Sequence, residues 1–239
     1  MAAEQILLTV CARGGSKGVK NKNIRPLCGL PLIAHTLKQA KQWGRAAKII
    51  CSTDSKEIAA IVQQYGAEVP FMRPDDLATD TTGKLAVLQH ALRTTEEKEG
   101  KQYSILVDLD VTAPIRQVSD IEGAYQLFLK HKADSVVSAT KSRRNPYFNM
   151  LELQEDGFVK LVKIPEKPFL RRQDTPTVYD MNASIYVYGR EFILNSQTKT
   201  ALSGKTLVWE MGEWSAFDID SEVDFQLIEF LASKGVVKL

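Results

Sequence analysis

A loop rich in glycine and lysine follows the first apolar run of the chain. Residues 13–22 read RGGSKGVKNK. Small residues let backbone N–H groups come close to an anion, and successive N–H groups form a concave site for phosphate oxygens. Arg13, Lys17 and Lys22 add the positive charge that a triphosphate requires. The loop therefore predicts a nucleotide-phosphate site; the alternative is a glycine-rich turn with surface lysines.

Spacing excludes two well-known phosphate loops. The glycines of GGSKG do not fit the G-x-G-x-x-G pattern of dinucleotide-binding folds. The only Gly-Lys-Thr sequence, at residues 204–206, has Lys199 where the P-loop needs its first glycine. Neither a dinucleotide site nor a P-loop is predicted.

Two pairs of aspartates could bind a metal. Asp218 and Asp220 lie in an extended stretch, where side chains two apart point to the same face. Adjacent carboxylates repel each other unless a cation lies between them, and Mg²⁺ prefers such oxygen ligands together with substrate phosphates. The alternative is a helix cap within an acidic turn. Asp108 and Asp110 have the same spacing and form a rival or additional site, unless they cap a turn.

Arg172 and Gln173 lie in a polar stretch with Arg171 beside them. An arginine is the natural bidentate partner of a substrate carboxylate, although the residues alone favour a solvated basic loop. The three histidines, at positions 35, 90 and 131, have no metal-ligand spacing and are predicted to be structural or exposed.

Alternating strands and helices must position these groups. We predict strands at residues 5–12, 47–51, 68–72, 104–109, 134–140, 183–188 and 206–210, and helices at residues 31–43, 55–66, 84–93, 120–131 and 222–231. Such alternation predicts a mostly parallel sheet with helices on both faces. We expect residues 183–188 to be parallel as well. Ligands bind at the carboxyl ends of such strands, so the loops after the first and fourth strands should share one crevice.

Residues 141–180 interrupt this alternation. They are polar, contain four of the nine prolines, and include a predicted hairpin across Asp156 and Gly157. We interpret the segment as an arm that serves as a lid or a subunit contact, inserted into a single domain of residues 1–239.

Composition limits the cellular setting and the partners. The 31 basic and 29 acidic residues give a net charge of +2, which does not favour nucleic-acid or membrane binding. The first residues are interpreted as a strand and not as a signal peptide, and no apolar stretch reaches membrane-spanning length. We expect a cytoplasmic protein.

The motifs together resemble the acylneuraminate cytidylyltransferase family, the synthetases of CMP-sialic acid and of its legionaminic and pseudaminic relatives. CARGGSKGVKNKNI is similar to the family loop A-R-x-x-S-K-G-x-x-x-K-N, and VTAPIR to P-T-S-P-L-R. RRQDTPTVYDMNASIYVY resembles R-Q-x-x-P…N-G-A-I-Y, and FDIDSEVDF resembles the terminal I-D-I-D motif. The resemblance runs in order from about Ile6 to Phe225.

The resemblance implies an α/β fold, a Rossmann-like nucleotidyltransferase with a mostly parallel sheet and a small protruding arm used in homodimerisation. It also implies roles on the nucleotide side of the site. The residues that would hold the CTP phosphates and ribose are Arg13, Ser16, Lys17, Lys22 and Asn23. Cytosine would be recognised by Arg73 and the backbone near Thr82, and Mg²⁺ would be bound by Asp218 and Asp220.

On the sugar side, the resemblance implies contacts with an acidic nonulosonate from the turn that holds Asp110 and Thr112. Further contacts are implied for Arg172, Gln173, Asn182 and Tyr186, with Arg172 near the sugar carboxylate. Three departures from the family pattern concern this half. Asp110 and Val111 replace Gln and Pro, Ala183 replaces Gly, and Phe148 stands where a lysine is expected. The carboxylate of Asp110 suggests a different or amino-bearing sugar.

The implied reaction transfers CMP from CTP to the anomeric hydroxyl of a 3-deoxy-2-ketonic acid and releases pyrophosphate. The catalytic residues would be Arg13, Lys22 and Asp220, with Asp220 or a metal-bound water as the base. The alternatives are a CMP-Kdo-type synthetase, whose Q-G-D-E-P-type turn is absent here, and a catalytically silent nucleotide-binding protein.

Overall fold

The computed structural model describes residues 5–15 and 18–239. Within this part of the chain, the strands are β1 (Ile6–Cys11), β2 (Pro26–Leu27), β3 (Leu30–Pro31), β4 (Lys48–Ser52), β5 (Ile105–Leu109), β6 (Ser135–Lys141), β7 (Leu151–Leu153), β8 (Val159–Leu161), β9 (Tyr179–Gly189) and β10 (Thr206–Glu210). The α-helices are α1 (Leu32–Trp43), α2 (Lys56–Gln64), α3 (Lys84–Glu99), α4 (Val118–His131), α5 (Arg190–Leu194) and α6 (Glu222–Ser233).

Six strands form one sheet in the order β10-β6-β9-β5-β1-β4. β1 lies parallel to both β4 and β5, and β6 lies parallel to β10. β5 is buried throughout and β1 is buried up to its last residue, as expected for strands covered on both faces. The predicted α/β architecture with a mostly parallel sheet is confirmed. Because β1 and β5 are parallel neighbours, the loops that follow them lie at the same edge of the sheet.

The expected direction of residues 183–188 is wrong. They belong to β9, which is antiparallel to both of its neighbours, β5 and β6. β6 ends at Lys141, at the edge where the parallel strands end, and the chain next forms the arm before β9 begins at Tyr179. A strand that starts from the edge where the previous strand ended must run back across the sheet, whereas a parallel strand needs a crossover.

Two further element predictions need correction. Residues 68–72 make only isolated bridges, from Glu68 to Ile50 and from Met72 to Thr53, because Pro70 between them has no N–H to donate. Helix α3 extends past the predicted end at Arg93 to Glu99 and stops at Gly100, whose φ is +62°. The polar last turns of α3 carry few apolar residues that could reveal their helical period.

The predicted hairpin in the arm is confirmed. β7 and β8 pair in an antiparallel two-stranded sheet, and Gly157 in the connection has a φ of +83° that favours glycine. The Phe158 N–H donates to the Asp156 carboxylate at 3.1 Å, which closes the turn. In the described ranges 5–15 and 18–239, no helix has the length and apolar character needed to cross a membrane.

Candidate active site

The loop after β1 is fixed by hydrogen bonds from within the fold. The buried Asn23 amide donates to the Arg13 carbonyl at 2.9 Å, and the Gly14 N–H donates to the Asp54 carboxylate at 2.8 Å. The Arg13 guanidinium lies 2.6 Å from an Asp80 carboxylate oxygen. Ser16 and Lys17, both predicted to bind phosphate, lie outside the described residues. The loop therefore presents Arg13 and Lys22 on a backbone that other side chains hold in place.

The loop packs directly against the C-terminal pair of aspartates. The Lys22 ammonium donates to the Ile219 carbonyl and lies 3.4 Å from a carboxylate oxygen of Asp220. A Cβ added to Gly18 would lie 1.9 Å from the Asp220 carbonyl oxygen, so only glycine permits this approach. The structure thus brings together the two groups that the sequence separates by almost 200 residues.

A second contact joins the same two segments. Arg25 donates to both carboxylate oxygens of Glu222, at 2.5 and 2.8 Å, and its guanidinium lies 4.0 Å from the ring centroid of Phe225. Bidentate pairing fixes both the distance and the orientation of two groups. Helix α6, which begins at Glu222, is thereby held beside the phosphate loop.

Asp218 and Asp220 form a strained pair of like charges. Ile219 between them is buried, Asp218 is half-buried, and the Asp220 side chain is 77% exposed. Burial raises the pKa of Asp218 above its usual value, and repulsion from Asp220 adds to this increase. Lys22 supplies one positive charge against two negative charges. A divalent cation would relieve the repulsion that remains.

The residues fit a metal that is bound largely through substrate. The described parts of the chain contain no group of three or more His, Cys, Asp or Glu side chains that could hold a metal ion. Mg²⁺ characteristically uses one or two carboxylates and takes its other ligands from water and phosphate oxygens. Asp218 and Asp220 match that requirement, beside a loop suited to phosphate.

The rival pair of aspartates already has a cation. The Lys84 ammonium lies 2.8 Å from an oxygen of Asp108 and 2.8 Å from an oxygen of Asp110. Burial would raise the pKa of Asp110, but Lys84 and hydrogen bonds from Thr112 lower it to about 2. Burial would likewise lower the pKa of Lys84, but the two carboxylates raise it well above its usual value. The place between these carboxylates is occupied by an ammonium group.

The loop after β5 connects the predicted sugar side with the metal pair. Thr112 donates from its N–H and its hydroxyl to one oxygen of Asp110, both at 2.9 Å. The Thr112 carbonyl accepts the Ile219 N–H at 2.8 Å. Tyr186, on the neighbouring strand β9, lies with its ring centroid 4.6 Å from the Lys84 ammonium. Asp110, Thr112 and Tyr186 therefore lie in one cluster near Asp218.

Asn182 is buried and fully engaged within the fold. Its oxygen accepts the Ser138 hydroxyl at 2.7 Å, and its amide donates to the carbonyl and hydroxyl of Ser215 at 3.1 and 3.0 Å. A contact with substrate would require exchange of one of these bonds. The next residue, Ala183, has a φ of +53°, a left-handed conformation that favours glycine and costs alanine about 1 kcal/mol.

The residues predicted to recognise cytosine lie on the β4 side of the loop after β1, whereas the predicted sugar side lies on the β5 side. The buried Arg73 donates to the hydroxyl and the carbonyl of Ser52 at 3.1 and 2.6 Å, at the end of β4. The Thr82 hydroxyl donates to the Asp76 carbonyl at 3.0 Å. Because β4 is next to β1, Arg73 lies at the same sheet edge as the phosphate loop.

Arg172 and Gln173 line a different cavity, of about 520 Å³, at the base of the arm. Lys141, Arg143, Glu210 and Glu213 also line it. The exposed Arg172 donates to the Arg143 carbonyl at 2.9 Å. Among the residues described, those that line this cavity do not include Lys22, Asp110 or Asp218. The cavity that Arg172 and Gln173 line therefore contains no described residue of the phosphate loop or of the aspartate pair.

Residues 7–227 match the sequence model of a family described as cytidylyltransferase. The chain belongs to the cytidylyltransferase family. It is 47% identical over 227 residues to post-translational flagellin modification protein B of Campylobacter coli, a match that covers 95% of this chain and 94% of that relative. It is 46% identical over 229 residues to the CMP-N,N'-diacetyllegionaminic acid synthase of Campylobacter jejuni, covering 96% and 95% of the two chains. The protein is therefore a nucleotidyltransferase.

More distant relatives of this cytidylyltransferase extend the comparison. The N-acylneuraminate cytidylyltransferase of Escherichia coli O18:K1:H7 is 30% identical over 224 residues, which cover 93% of this chain and 51% of that protein. A solved structure of CMP:2-keto-3-deoxy-manno-octonic acid synthetase complexed with CTP is similar, with a TM-score of 0.70 at 16% identity. The match covers 97% of this chain and 100% of that one. This likeness confirms the Rossmann-like nucleotidyltransferase fold.

Sequence reasoning missed two charged residues of the candidate site, Lys84 and Arg116. The buried Arg116 guanidinium donates to the Ser184 and Asp110 carbonyls at 2.7 and 2.8 Å and to the Thr36 hydroxyl at 2.7 Å. These bonds hold the backbone of the turn at Asp110 in place. Its position in VTAPIR, two residues after a proline in a short loop, was the only local signal.

Proposed function

We propose that this cytidylyltransferase transfers CMP from CTP to the anomeric hydroxyl of a nonulosonic acid and releases pyrophosphate. The observation that carries the proposal is the contact between Lys22 and Asp220, which joins a phosphate loop to a metal-competent pair of acids. The names of the relatives support the substrate class, because one is a CMP-N,N'-diacetyllegionaminic acid synthase and another is an N-acylneuraminate cytidylyltransferase. N,N'-diacetyllegionaminic acid is the preferred sugar in this proposal, and N-acetylneuraminic acid is the second.

The reaction forms a bond from the anomeric oxygen to the α-phosphorus of CTP. The bond from that phosphorus to the oxygen bridging to the β-phosphate breaks, and pyrophosphate leaves with the bonding electrons. The hydroxyl proton passes to Asp220, the proposed acceptor. Transfers of this kind depend mainly on positioning and on stabilisation of charge.

Arg13 and Lys22 bind the triphosphate in this proposal and stabilise the charge that develops on pyrophosphate. Both are anchored close to the reacting groups, Arg13 through its backbone by Asn23 and Lys22 by the Ile219 carbonyl. Ser16 and Lys17 would add phosphate contacts from the same loop. Asp218 and Asp220 would hold Mg²⁺, which when bound neutralises phosphate charge and polarises a phosphoryl oxygen.

Cytosine binds in this proposal near Arg73 and Thr82, and the sugar binds near Asp110, Thr112 and Tyr186. The two sets lie on either side of the loop after β1, because β4 and β5 are the two neighbours of β1. In this proposal Asn182 supports the sugar site through its hydrogen bonds to Ser138 and Ser215. Nucleotide and sugar thereby meet at the sheet edge that carries the phosphate loop.

The arm supplies Arg172 and Gln173 to the sugar carboxylate in this proposal. Since the cavity that they line contains no described residue of the phosphate loop, we propose that they act on the site of a second copy. We expect Arg172→Ala to raise the KM of the sugar acid about tenfold to a hundredfold, because a charge-assisted hydrogen bond contributes about 1.5–3 kcal/mol. The KM of CTP should change less than about threefold. Steady-state kinetics with each substrate varied in turn measures both.

The matched control for that variant is Arg171→Ala. Arg171 is the adjacent arginine, and it pairs with Asp174 at 2.8 and 2.9 Å. Its loss should leave both KM values within about threefold of the wild type. Equal effects of Arg172→Ala on the two KM values, or an equal effect of Arg171→Ala, would remove Arg172 from the sugar site.

We further propose that the chain is a single domain that forms a homodimer through the arm of residues 141–180. The arm exposes many large apolar side chains: Leu151, Leu153, Phe158, Val159, Ile164 and Leu170, which are 54–88% exposed. Its two strands have three residues each, and an isolated hairpin of that size is marginal without a partner surface. A second copy would cover this surface and bring Arg172 to its site.

Light scattering tests this assembly. We expect a mass of twice 26.7 kDa for the wild type, and a shift toward the monomer for Phe158→Asp, because a charge would enter an apolar interface. Leu202→Asp is the control: its side chain is 56% exposed but lies outside the arm, and the variant should remain dimeric. A monomeric wild type, or a dimer unaffected by Phe158→Asp, contradicts the proposal.

A substrate panel tests the proposed function. Pyrophosphate release is measured with CTP, Mg²⁺ and, in separate reactions, N-acetylneuraminic, N,N'-diacetyllegionaminic, pseudaminic and Kdo acids. We expect release with a nonulosonic acid, and the fastest release with the diacetyllegionaminic acid. Release with Kdo alone would support the CMP-Kdo-type alternative. Failure with every acid would support a catalytically silent nucleotide-binding protein.

A further inference from the structure

Lys84 lies where the nucleotide side and the sugar side of the site adjoin. It is the first residue of helix α3, directly after Gly83, and its ammonium group reaches across to the end of β5. There it lies 2.8 Å from Asp108 and 2.8 Å from Asp110. Nothing in the proposed function uses this lysine. Its place between two carboxylates at the sheet edge therefore needs an explanation.

Among the described residues, Lys84 is the cation that forms ion pairs with both carboxylates of this cluster. Asp108 is buried, and one of its oxygens accepts the Thr9 hydroxyl at 2.7 Å. One oxygen of Asp110 accepts both bonds from Thr112, while the other accepts Lys84. Arg116, the next arginine along the chain, contacts the Asp110 carbonyl and not its carboxylate. Removal of Lys84 would leave two neighbouring carboxylates with no ammonium group between them.

The cluster borders the cleft and is not sealed in the core. The Lys84 side chain is 30% exposed and the Asp110 side chain 23% exposed, whereas Asp108 is fully buried. Lys84 also lies over the ring of Tyr186, and the Thr112 carbonyl accepts the N–H of Ile219, which lies between Asp218 and Asp220. An uncompensated charge here would therefore lie beside Tyr186 and Thr112, on the proposed sugar side of the cleft.

We propose that Lys84 is a positioning residue for the acidic sugar: it holds Asp110 against Thr112 and cancels a negative charge that would repel the substrate carboxylate. This inference rests on the proposed function. The ammonium group is already shared by two carboxylates, so Lys84 acts through Asp110 and makes no direct bond to the sugar. Two unit charges about 7 Å apart at an effective dielectric constant near 20 interact strongly enough to change affinity by tenfold or more.

Four variants separate this role from direct binding. Lys84→Met should raise the KM of the sugar acid about tenfold or more and the KM of CTP less than about threefold. Lys84→Arg, which keeps the charge, should recover most of the sugar affinity. In the double variant Lys84→Met with Asp110→Asn, the carboxylate that borders the cleft is neutral and only the buried Asp108 carboxylate is left. The sugar KM should therefore fall to within about threefold of that of Asp110→Asn alone.

Three outcomes overturn the inference. Lys84→Met could leave the sugar KM unchanged, or raise both KM values equally. The double variant could remain as impaired as Lys84→Met, which would mean that Lys84 binds the sugar itself. If Lys84→Met does not fold, the comparison of the double variant with Asp110→Asn decides the question: a difference in sugar KM above tenfold contradicts the inference.

The wild type separates this inference from the proposed function. A wild-type enzyme that transfers CMP to no acid of the panel contradicts the proposed function and the inference with it. An active wild type whose sugar KM does not respond to Lys84→Met contradicts only the role of Lys84.

Discussion

Replacement of Asp220 by alanine should abolish pyrophosphate release and leave the fold intact. The side chain is 77% exposed, so its removal creates no buried cavity. The Asp220 N–H still donates to the Asp224 carboxylate, at 3.2 Å, because that bond involves only the backbone of Asp220. Stabilisation by a metal contributes several kcal/mol, and each 1.4 kcal/mol is a factor of ten in rate. We therefore expect a loss of about a thousandfold or more, measured by a coupled pyrophosphate assay at saturating CTP and sugar.

Glu229→Gln is a suitable control for that variant. Glu229 lies on the same helix, α6, and contacts the Cys28 N–H at 3.3 Å, away from Lys22. Its activity should stay within about threefold of the wild type, and the thermal unfolding midpoints of both variants should stay near that of the wild type. If Asp220→Ala retained most of its activity, the metal would have to be assigned to Asp108 and Asp110. That assignment would require Lys84 to leave its present place.

Replacement of Lys22 by methionine should produce the second large loss. The side chain is only 12% exposed, and its ammonium lies between the Ile219 carbonyl and the Asp220 carboxylate. This position lets the charge act on the leaving pyrophosphate in a partly desolvated site, where electrostatic interactions are stronger than in water. We expect kcat to fall about a hundredfold or more and the KM of CTP to rise, with both quantities taken from steady-state kinetics at fixed saturating sugar.

Lys20→Met is the matched comparison for Lys22→Met. Lys20 belongs to the same loop, two residues earlier, and its side chain is exposed. Solvent and salt screen an exposed charge, so this variant should change kcat and the KM of CTP by less than about threefold. Similar losses in the two variants would show that the loop contributes only a general positive field, and that the contact between Lys22 and the aspartate pair has no special role.

The part of the site that the sequence predicted best depends on contiguous patterns. The phosphate loop and the Asp218 and Asp220 pair each lie within a few residues, and the strand–helix alternation places both at one edge of the sheet. Lys84 could not be found in this way. It is separated from Asp110 by 26 residues, it begins a helix, and its only signal is a contact made by folding.

The antiparallel direction of β9 could not be predicted from the sequence for a different reason. A strand buried on both faces has the same apolar composition whether its neighbours are parallel or antiparallel. Direction depends instead on the edge from which the chain re-enters the sheet, and the arm of residues 141–180 determines that edge. The same arm places Arg172 in a cavity that no described residue of the phosphate loop lines, and no local pattern in the sequence could reveal this.

The central proposal is that the phosphate loop and the aspartate pair together bind the complex of CTP with Mg²⁺. Calorimetry of CTP binding with and without Mg²⁺ tests this proposal most directly. For the wild type, Mg²⁺ should strengthen CTP binding about tenfold or more. In the double variant Asp218→Asn with Asp220→Asn, the enhancement should fall below about twofold while metal-free CTP still binds through the loop. An undiminished magnesium enhancement in that variant would contradict the assignment of the metal to these aspartates.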